Sequence, residues 1–404
     1  MEFPKRLEDI EQYLHDHELK AGKGYSLERM QTAVERLGHP ERKFKVIHVG
    51  GTSGKGSTCT FIGHILEAAG YSVGLSVSPS LISPLERIQI NGKPIREQTA
   101  LKLLREMWPL ILELKLSYFE TFTLLTFQYF AERQVDYGVI EVGMGGKYDA
   151  TNVVQPTVAI VTEVGLDHTE ILGPTKAIIA KDKQEIIKPG CIGLTGSRYI
   201  KRGTYIDLDQ AKIHDVSLHG VTFSYRRWKH LQMTSPATYQ VRNAVLAIEA
   251  TSRLGVGSAA IQFGLKQVQQ RGRFEIVSHK PLVIADGAHN PQKMTAFVQA
   301  LKQLVPLKQH RVVALCTVKS TKDLKATLKP LLPYVDEMIL TTSPYSYSLK
   351  QLEQVVRKLK PRLTIRKLVN PQAAYQLFRE SVQADDIGLI TGSLYLIGEL
   401  LPLL

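Results

Sequence analysis

Gly51-Thr52-Ser53-Gly54-Lys55-Gly56-Ser57 sets glycines around a single lysine and flanks them with hydroxyls. The apolar run Lys45-Val46-Ile47-His48-Val49 before it predicts a strand, and the apolar spacing over 58–69 after it predicts a helix. The segment is therefore a strand-to-helix turn. Glycines let backbone N–H groups converge on phosphate oxygens, the helix start adds its positive end, and Lys55 adds a full charge. This is the chemistry of a nucleoside triphosphate site. The spacing departs from the standard G-x-x-x-x-G-K-[ST] loop: Val49 stands at the first glycine position, and Gly56 separates Lys55 from Ser57. A plain surface turn is the weaker reading, because strand, glycines, lysine, hydroxyl and helix occur in the required order.

The alternation continues in both directions. Helical spacing over 7–19 and 27–37 predicts two helices ahead of the first strand. Further strands are predicted at 72–77, 137–142 and 157–161, with helices over 97–116, 121–133 and 175–188. This pattern predicts an α/β fold with a doubly wound, mostly parallel sheet. Arg87-Ile88-Gln89-Ile90-Asn91-Gly92-Lys93-Pro94-Ile95 instead reads as a hairpin at the sheet edge. Residues 192–225 are β-rich and less regular, and helices over 238–254 and 258–268 follow. From Arg271-Gly272-Arg273-Phe274 a second series runs through strands at 282–285, 311–316, 337–341 and 387–391. Polar composition near Ser278, with Pro281 after it, sets the predicted boundary between domains 1–278 and 279–404, and a cleft is expected between them.

At 404 residues the chain exceeds what one core usually serves, and 44% hydrophobic with 22% charged residues makes it globular. Cys59, Cys191 and Cys316 lie too far apart for a disulfide framework or metal spacing. No apolar segment suits a signal peptide or a membrane span, so a cytoplasmic protein without a membrane partner is expected. The net charge of +13 favours anionic partners. Basic clusters at 226–230 and 357–367 lack the aromatic interleaving of a nucleic-acid groove, so small anions are expected instead of nucleic acid.

Glu141 closes an apolar strand and opens onto Gly143-Met144-Gly145-Gly146, while Gly165-Leu166-Asp167-His168 lies past the next strand. In a parallel sheet these ends share one edge with the glycine loop, which predicts that Lys55, Glu141 and His168 converge. A carboxylate and an imidazole complete a divalent-metal site together with phosphate oxygens and water. Taken singly, a satisfied loop histidine and a capping carboxylate explain them better; the shared edge favours the site. By pattern, 180–185 is a solvated helix face. Asp286-Gly287-Ala288-His289-Asn290-Pro291 reads equally well as a polar site or as an Asn-Pro turn with a capping aspartate.

These segments together resemble the folylpolyglutamate synthase and dihydrofolate synthase family of the Mur ligase superfamily. The resemblance runs in order through His48 to Thr58, Ser78-Pro79, Glu86-Arg87-Ile88, Asn91-Gly92, Glu141 to Gly146, Asp149-Ala150-Thr151-Asn152, Gly165 to Gly173, Ile186 to Gly190, Gly272-Arg273-Phe274-Glu275 and Asp286 to Pro291. It implies a P-loop-type Mur ligase central ATPase domain followed by a smaller Rossmann-like glutamate-ligase domain. It implies a ligase that uses ATP and Mg2+ to join a carboxylate to the amine of L-glutamate through an acyl phosphate.

Carried over by position, the resemblance gives Thr52, Gly54, Lys55, Gly56 and Ser57 to the ATP phosphates, and Asn243, Arg273, Asp286 and His289 to the nucleotide. Ser57, Ser78, Glu141 and His168 match magnesium ligands, and Lys183 matches a lysine that is carbamylated to hold a second magnesium. Lys55, His168, Lys183 and Arg273 carry the catalytic roles. Gly24, Tyr25, Ser117, Tyr118, Phe119, Glu120, Asp149 and Ala150 match segments of the pterin pocket, which points to dihydropteroate, reduced folate or both as acceptor. A monomer is expected.

Ser53, Ser80, Lys147 and Gln184-Glu185 depart from the family pattern, where asparagine, histidine, arginine and Ala-Gly are usual. A bulky acidic side chain next to Lys183 could crowd the site or discourage the modification, yet Lys183 is still expected to be carbamylated because Lys55, Ser78, Glu141 and His168 all remain. The alternatives are another Mur-type amide ligase and a non-catalytic nucleotide-binding paralogue.

Overall fold

The computed structural model describes residues 3–17 and 26–404. It forms two compact units, Met1–Ala211 with Arg242–Lys266, and Lys212–Val241 with Gln267–Leu404.

In the first unit, helices α1 (Leu7–Asp16) and α2 (Glu28–Arg36) precede strand β1 (Lys45–Gly50). Strands β2 (Val73–Ser76), β3 (Ile88–Ile90), β4 (Lys93–Pro94), β5 (Tyr137–Glu141), β6 (Val158–Val161), β7 (Ile192–Thr195) and β8 (Thr204–Tyr205) join β1 in one sheet, in the order β4-β3-β2-β5-β1-β6-β7-β8. β1 lies parallel between β5 and β6, and all its residues after Lys45 are buried. That is why its sequence is a continuous apolar run and not an alternation. The hairpin expected around Asn91-Gly92 is present: β3 and β4 pair antiparallel, and both turn residues have positive φ, 48° and 71°.

Helix α3 (Lys55–Ala68) starts at the lysine itself, three residues before the predicted start at 58. It buries Phe61, Ile62, Ile65 and Leu66 against the sheet. Helices α4 (Glu97–Leu114) and α5 (Tyr118–Glu132) enclose a core with α1 and α2 that includes Trp108, Phe127 and Phe130. Each such aromatic contributes roughly 1.5–3 kcal/mol on burial. Helix α6 (Thr169–Leu172) leads to α7 (Lys176–Lys183), whose Ile179 and Ala180, with Ile186 after it, join Val142, Ala159 and Val161 in a second apolar cluster. The segment 180–185 is thus not a uniformly solvated face. Helices α8 (Gln240–Arg253) and α9 (Ser258–Gln267) return to this unit, where Gly264 lies against the backbone of α3: a β-carbon there would stand 2.5 Å from the α-carbon of Ile65.

The second unit holds a meander of β9 (Lys212–Ser217), β10 (Gly220–Tyr225) and β11 (Trp228–Met233). It also holds a sheet of β12 (Glu275–His279), β13 (Leu282–Asp286), β14 (Val312–Cys316), β15 (Glu337–Leu340), β16 (Thr364–Lys367) and β17 (Ile387–Thr391), ordered β12-β13-β17-β14-β15-β16. β12 is antiparallel to β13 and the remaining pairings are parallel. The predicted boundary at 278/279 therefore falls inside a paired strand. The stretch around Ser278 is polar because β12 is an edge strand of intermediate exposure, not because it is a linker.

Candidate active site

Because β2, β5, β1 and β6 run parallel, the loops after Ser76, Glu141, Gly50 and Val161 emerge on one edge. The loop after β1 is pinned by the loop after β6. Thr162 Oγ1 donates to Ser53 O at 2.7 Å and lies 3.2 Å from Gly50 O, and Thr52 N donates to Glu163 O at 2.7 Å. Thr52 Oγ1 donates to Gly165 O at 3.2 Å and accepts from Gly165 N at 3.0 Å. Sequence reasoning missed Thr162, a buried hydroxyl in an apolar strand end with no local pattern to mark it. Gly51 and Gly54 sit at φ 138° and 83°, a region that disfavours side chains. Gly54 lies directly against the carboxamide of Asn243, which brings that α8 residue to the loop.

Glu141 is 6% exposed. Its Oε1 lies 3.8 Å from Lys55 Nζ and its Oε2 accepts Ser78 N at 2.7 Å. A β-carbon on Gly56 would come within 3.1 Å of Oε2, so the helix start, the lysine and the carboxylate are in one place. His168 opens α6 in a left-handed conformation, φ 51°, with Asp167 and Glu170 each 3.9 Å from a ring nitrogen. Among the described residues no three His, Cys, Asp or Glu side chains gather into a metal cluster of their own. A cation beside Glu141 would draw its remaining ligands from phosphate oxygens, hydroxyls and water, as magnesium does.

Lys183 is 4% exposed, and its Nζ donates to Gly51 O at 3.2 Å. Burial, with the charge of Lys55, lowers its amine to about 8. Gly146 lies so close to it that a β-carbon would be 2.9 Å from the Lys183 α-carbon. Gln184 and Glu185 have partners of their own. Glu185 pairs with Arg202 at 3.0 Å and Gln184 Oε1 accepts Lys201 N at 3.1 Å, so both side chains are engaged by the 201–202 segment.

A pocket opens next to Glu141, lined also by Ser78, Arg87, Phe119, Phe122 and Thr123. Ser117 and Glu120 form a reciprocal capping box at the start of α5, with Glu120 also paired to Arg29 at 3.0 Å. Tyr118 is buried, its ring tilted by 38° against that of Phe122 at 4.7 Å, and its hydroxyl donates to Glu11 Oε1 at 3.1 Å. Asp149 is buried and accepts Met144 N at 2.9 Å and Thr151 N at 3.0 Å; Ala150 beside it is buried as well. Burial pushes the Asp149 carboxyl up, and these hydrogen bonds oppose the shift. Gly24 and Tyr25 lie outside the described residues.

Two family models match in chain order: the Mur ligase middle domain over residues 49–190, and the Mur ligase glutamate ligase domain over 272–394. The dihydrofolate synthase/folylpolyglutamate synthase of Bacillus subtilis is 31% identical over 97% of this chain and 98% of its own. The chain belongs to the folylpolyglutamate and dihydrofolate synthase family of Mur ligases. It is an ATP-dependent acid–amino-acid ligase. Among solved structures, the Escherichia coli protein in complex with DHPP and ADP matches with a TM-score of 0.87 and 28% identity, covering 100% of this chain and 98% of that one. The bifunctional synthase of Yersinia pestis complexed with AMPPNP and Mn ion also has a TM-score of 0.87 at 28% identity, covering 100% and 99%.

In the ligase's second unit, the carboxylate of Asp286 ends β13 and is committed locally: Oδ2 accepts the Tyr239 hydroxyl at 2.8 Å and Phe274 N at 2.9 Å. Burial pushes this carboxyl up, and the charge of Arg273 opposes it. His289 Nδ1 donates to Gly287 O at 2.7 Å, which leaves Nε2 to accept Lys293 Nζ at 3.0 Å. Burial and the charges of Lys293 and Arg273 hold this imidazole neutral, well below its ordinary value. Asn290 caps the helix Pro291–Leu304, so the Asn-Pro turn reading is correct for Asn290 itself.

Proposed function

We propose that this ligase adds L-glutamate to the carboxylate of a reduced folate, and to dihydropteroate as a second acceptor. The observation that supports it most is the meeting of Lys55, the Glu141 carboxylate and a pocket containing Phe119, Phe122 and Arg87 at one sheet edge. An aromatic pocket that ends at a phosphate loop suits an acceptor with a flat ring at one end and a reacting carboxylate at the other.

In this reading, Thr52, Gly54, Lys55, Gly56 and Ser57 hold the ATP phosphates. An acceptor carboxylate oxygen attacks the γ-phosphorus and ADP leaves. The glutamate amine then attacks the acyl carbon, forming the amide and releasing phosphate. Two anions must meet, so Lys55 and Arg273 offset their repulsion and stabilise the charge of the transferring phosphoryl group. Magnesium bound by Ser57, Ser78, Glu141 and His168, with a second ion at carbamylated Lys183, would supply further charge neutralisation. Glu141 fits this role as a buried carboxylate beside the helix start. Lys183 fits carbamylation because its burial favours the neutral amine that carbon dioxide requires. Asn243, Arg273, Asp286 and His289 are assigned to nucleotide contact, and Tyr118, Phe119, Asp149 and Ala150 to the acceptor pocket with Gly24, Tyr25, Ser117 and Glu120.

Incubation with ATP, magnesium and L-glutamate, offering tetrahydrofolate or dihydropteroate in parallel, tests this by product mass. Glutamylated product from at least one acceptor is expected. ADP release with no product from either would refute the assignment.

A further inference from the structure

His48 lies in the middle of β1, fully buried, and the proposed reaction gives it no role. Its Nε2 is 2.8 Å from Thr151 Oγ1, and Thr151 Oγ1 lies 2.5 Å from Asp149 Oδ1. A hydroxyl has one proton to give. Asp149 Oδ1 already accepts Thr151 N, so this oxygen is an acceptor and the hydroxyl proton goes to it. Thr151 Oγ1 must then accept from the imidazole, which places the histidine proton on Nε2. Among the described residues Nδ1 has no hydrogen-bond partner; it is buried and is the lone-pair nitrogen.

The relay continues outward. Asp149 Oδ2 accepts Met144 N, which fixes the loop that follows Glu141. That loop is wedged between two parts of the proposed site. A β-carbon on Gly143 would be 2.6 Å from the Phe119 ring, and one on Gly146 would be 2.8 Å from Asp182 O. Small shifts of the loop therefore move the aromatic wall of the pocket on one side and the Lys183 helix on the other.

We infer that His48 is a positioning residue of the acceptor pocket, acting through Thr151 and Asp149 to set the 143–146 loop against Phe119. The inference rests on the assignment of that pocket to the acceptor. A neutral Nε2–H donor is required at position 48, and an apolar residue of similar size leaves Thr151 Oγ1 without its donor. Asp149 retains capacity at Oδ2 for one further donor, so a buried relay and a ligand contact at Asp149 are compatible.

The test uses steady-state kinetics and amide hydrogen exchange on the full chain, comparing wild type with His48→Leu, His48→Gln, Thr151→Val and the Leu/Val double variant. His48→Leu and Thr151→Val are each expected to raise the acceptor KM about tenfold or more while the ATP KM stays within about twofold. His48→Gln, which restores an N–H donor, recovers most of the loss. The double variant is no worse than the worse single, because both remove one relay. Exchange at the Met144 and Thr151 amides is expected to quicken about tenfold in the single variants, a readout that needs no turnover. Should His48→Leu fail to fold, the nearly isosteric Thr151→Val carries the comparison. Unchanged Met144 and Thr151 exchange, equal increases in both KM values, or additive losses in the double variant would overturn the inference. A wild type inert toward both acceptors would instead refute the acceptor assignment, with the exchange result still deciding the relay.

Discussion

Replacing Gly51 with alanine probes the geometry on which the nucleotide loop depends. Gly51 sits at φ 138°, and its missing side chain is what admits Thr162. An added β-carbon would overlap Thr162 Oγ1 and stand 3.1 Å from Thr162 N and 3.2 Å from Glu163 N, so backbone and not only a flexible side chain must move. The backbone conformation costs an L-residue about 1–3 kcal/mol. Displacing the Thr162 hydroxyl from Ser53 O and Gly50 O costs about 1 kcal/mol more. A total of about 2–4 kcal/mol corresponds to a factor of roughly 30–1,000. Gly51→Ala is expected to show that penalty divided between urea unfolding and the dissociation constant of a fluorescent ATP analogue. Gly38→Ala is the control, since Gly38 also has positive φ, 71°, but nothing lies within 4 Å of its missing β-carbon. It should lose about 1 kcal/mol of stability and bind nucleotide normally. Equal behaviour of the two variants in both assays would refute the argument that close approach at Gly51 shapes the loop.

Three further outcomes follow from the site. Lys183, lowered from 10.5 to about 8, has a neutral fraction about 300-fold larger than an ordinary lysine at neutral pH. Carbamate formation and activity should rise with bicarbonate and with pH toward 8, and intact mass without the added carbon dioxide at saturating bicarbonate would defeat this. His48 falls from 6.5 to about 3 by burial, so the unfolded chain takes up its proton first as pH drops. Its contribution to stability is complete above pH 6.5 and is lost toward pH 3 at up to about 1.4 kcal/mol per pH unit, so urea midpoints of His48→Gln should fall less steeply with acid than wild type. Arg273→Ala should lose turnover by about a hundredfold or more while its urea midpoint changes little; unchanged turnover would count against its role at the phosphates.

Much of this architecture was legible in the chain because the signals are local. The apolar run before Gly51, the glycine pattern and the Asn91-Gly92 turn depend on strand burial and on backbone conformations that particular residue types permit. The parallel alternation likewise brings Gly51, Glu141 and Ser78 to one edge, since parallel strands share their C-terminal ends. Elsewhere local composition misled. The polar stretch at 275–279 is an edge strand, and edge strands are polar for the same solvent-exposure reason that linkers are. Lys183 read as part of a solvated helix face, yet it is buried against the loop of another strand.

The sequence by itself determined the succession of strands and helices, the phosphate loop and the family to which the ligase belongs. Tertiary structure alone decided what each polar group faces. It set Thr162 beneath the glycine loop, engaged Gln184 and Glu185 with the 201–202 segment, and linked His48 to Asp149 across 101 positions of chain. Hydrogen bonds and burial depend on distances between segments remote in sequence, and those distances exist only once the sheet has fixed its strand order and register.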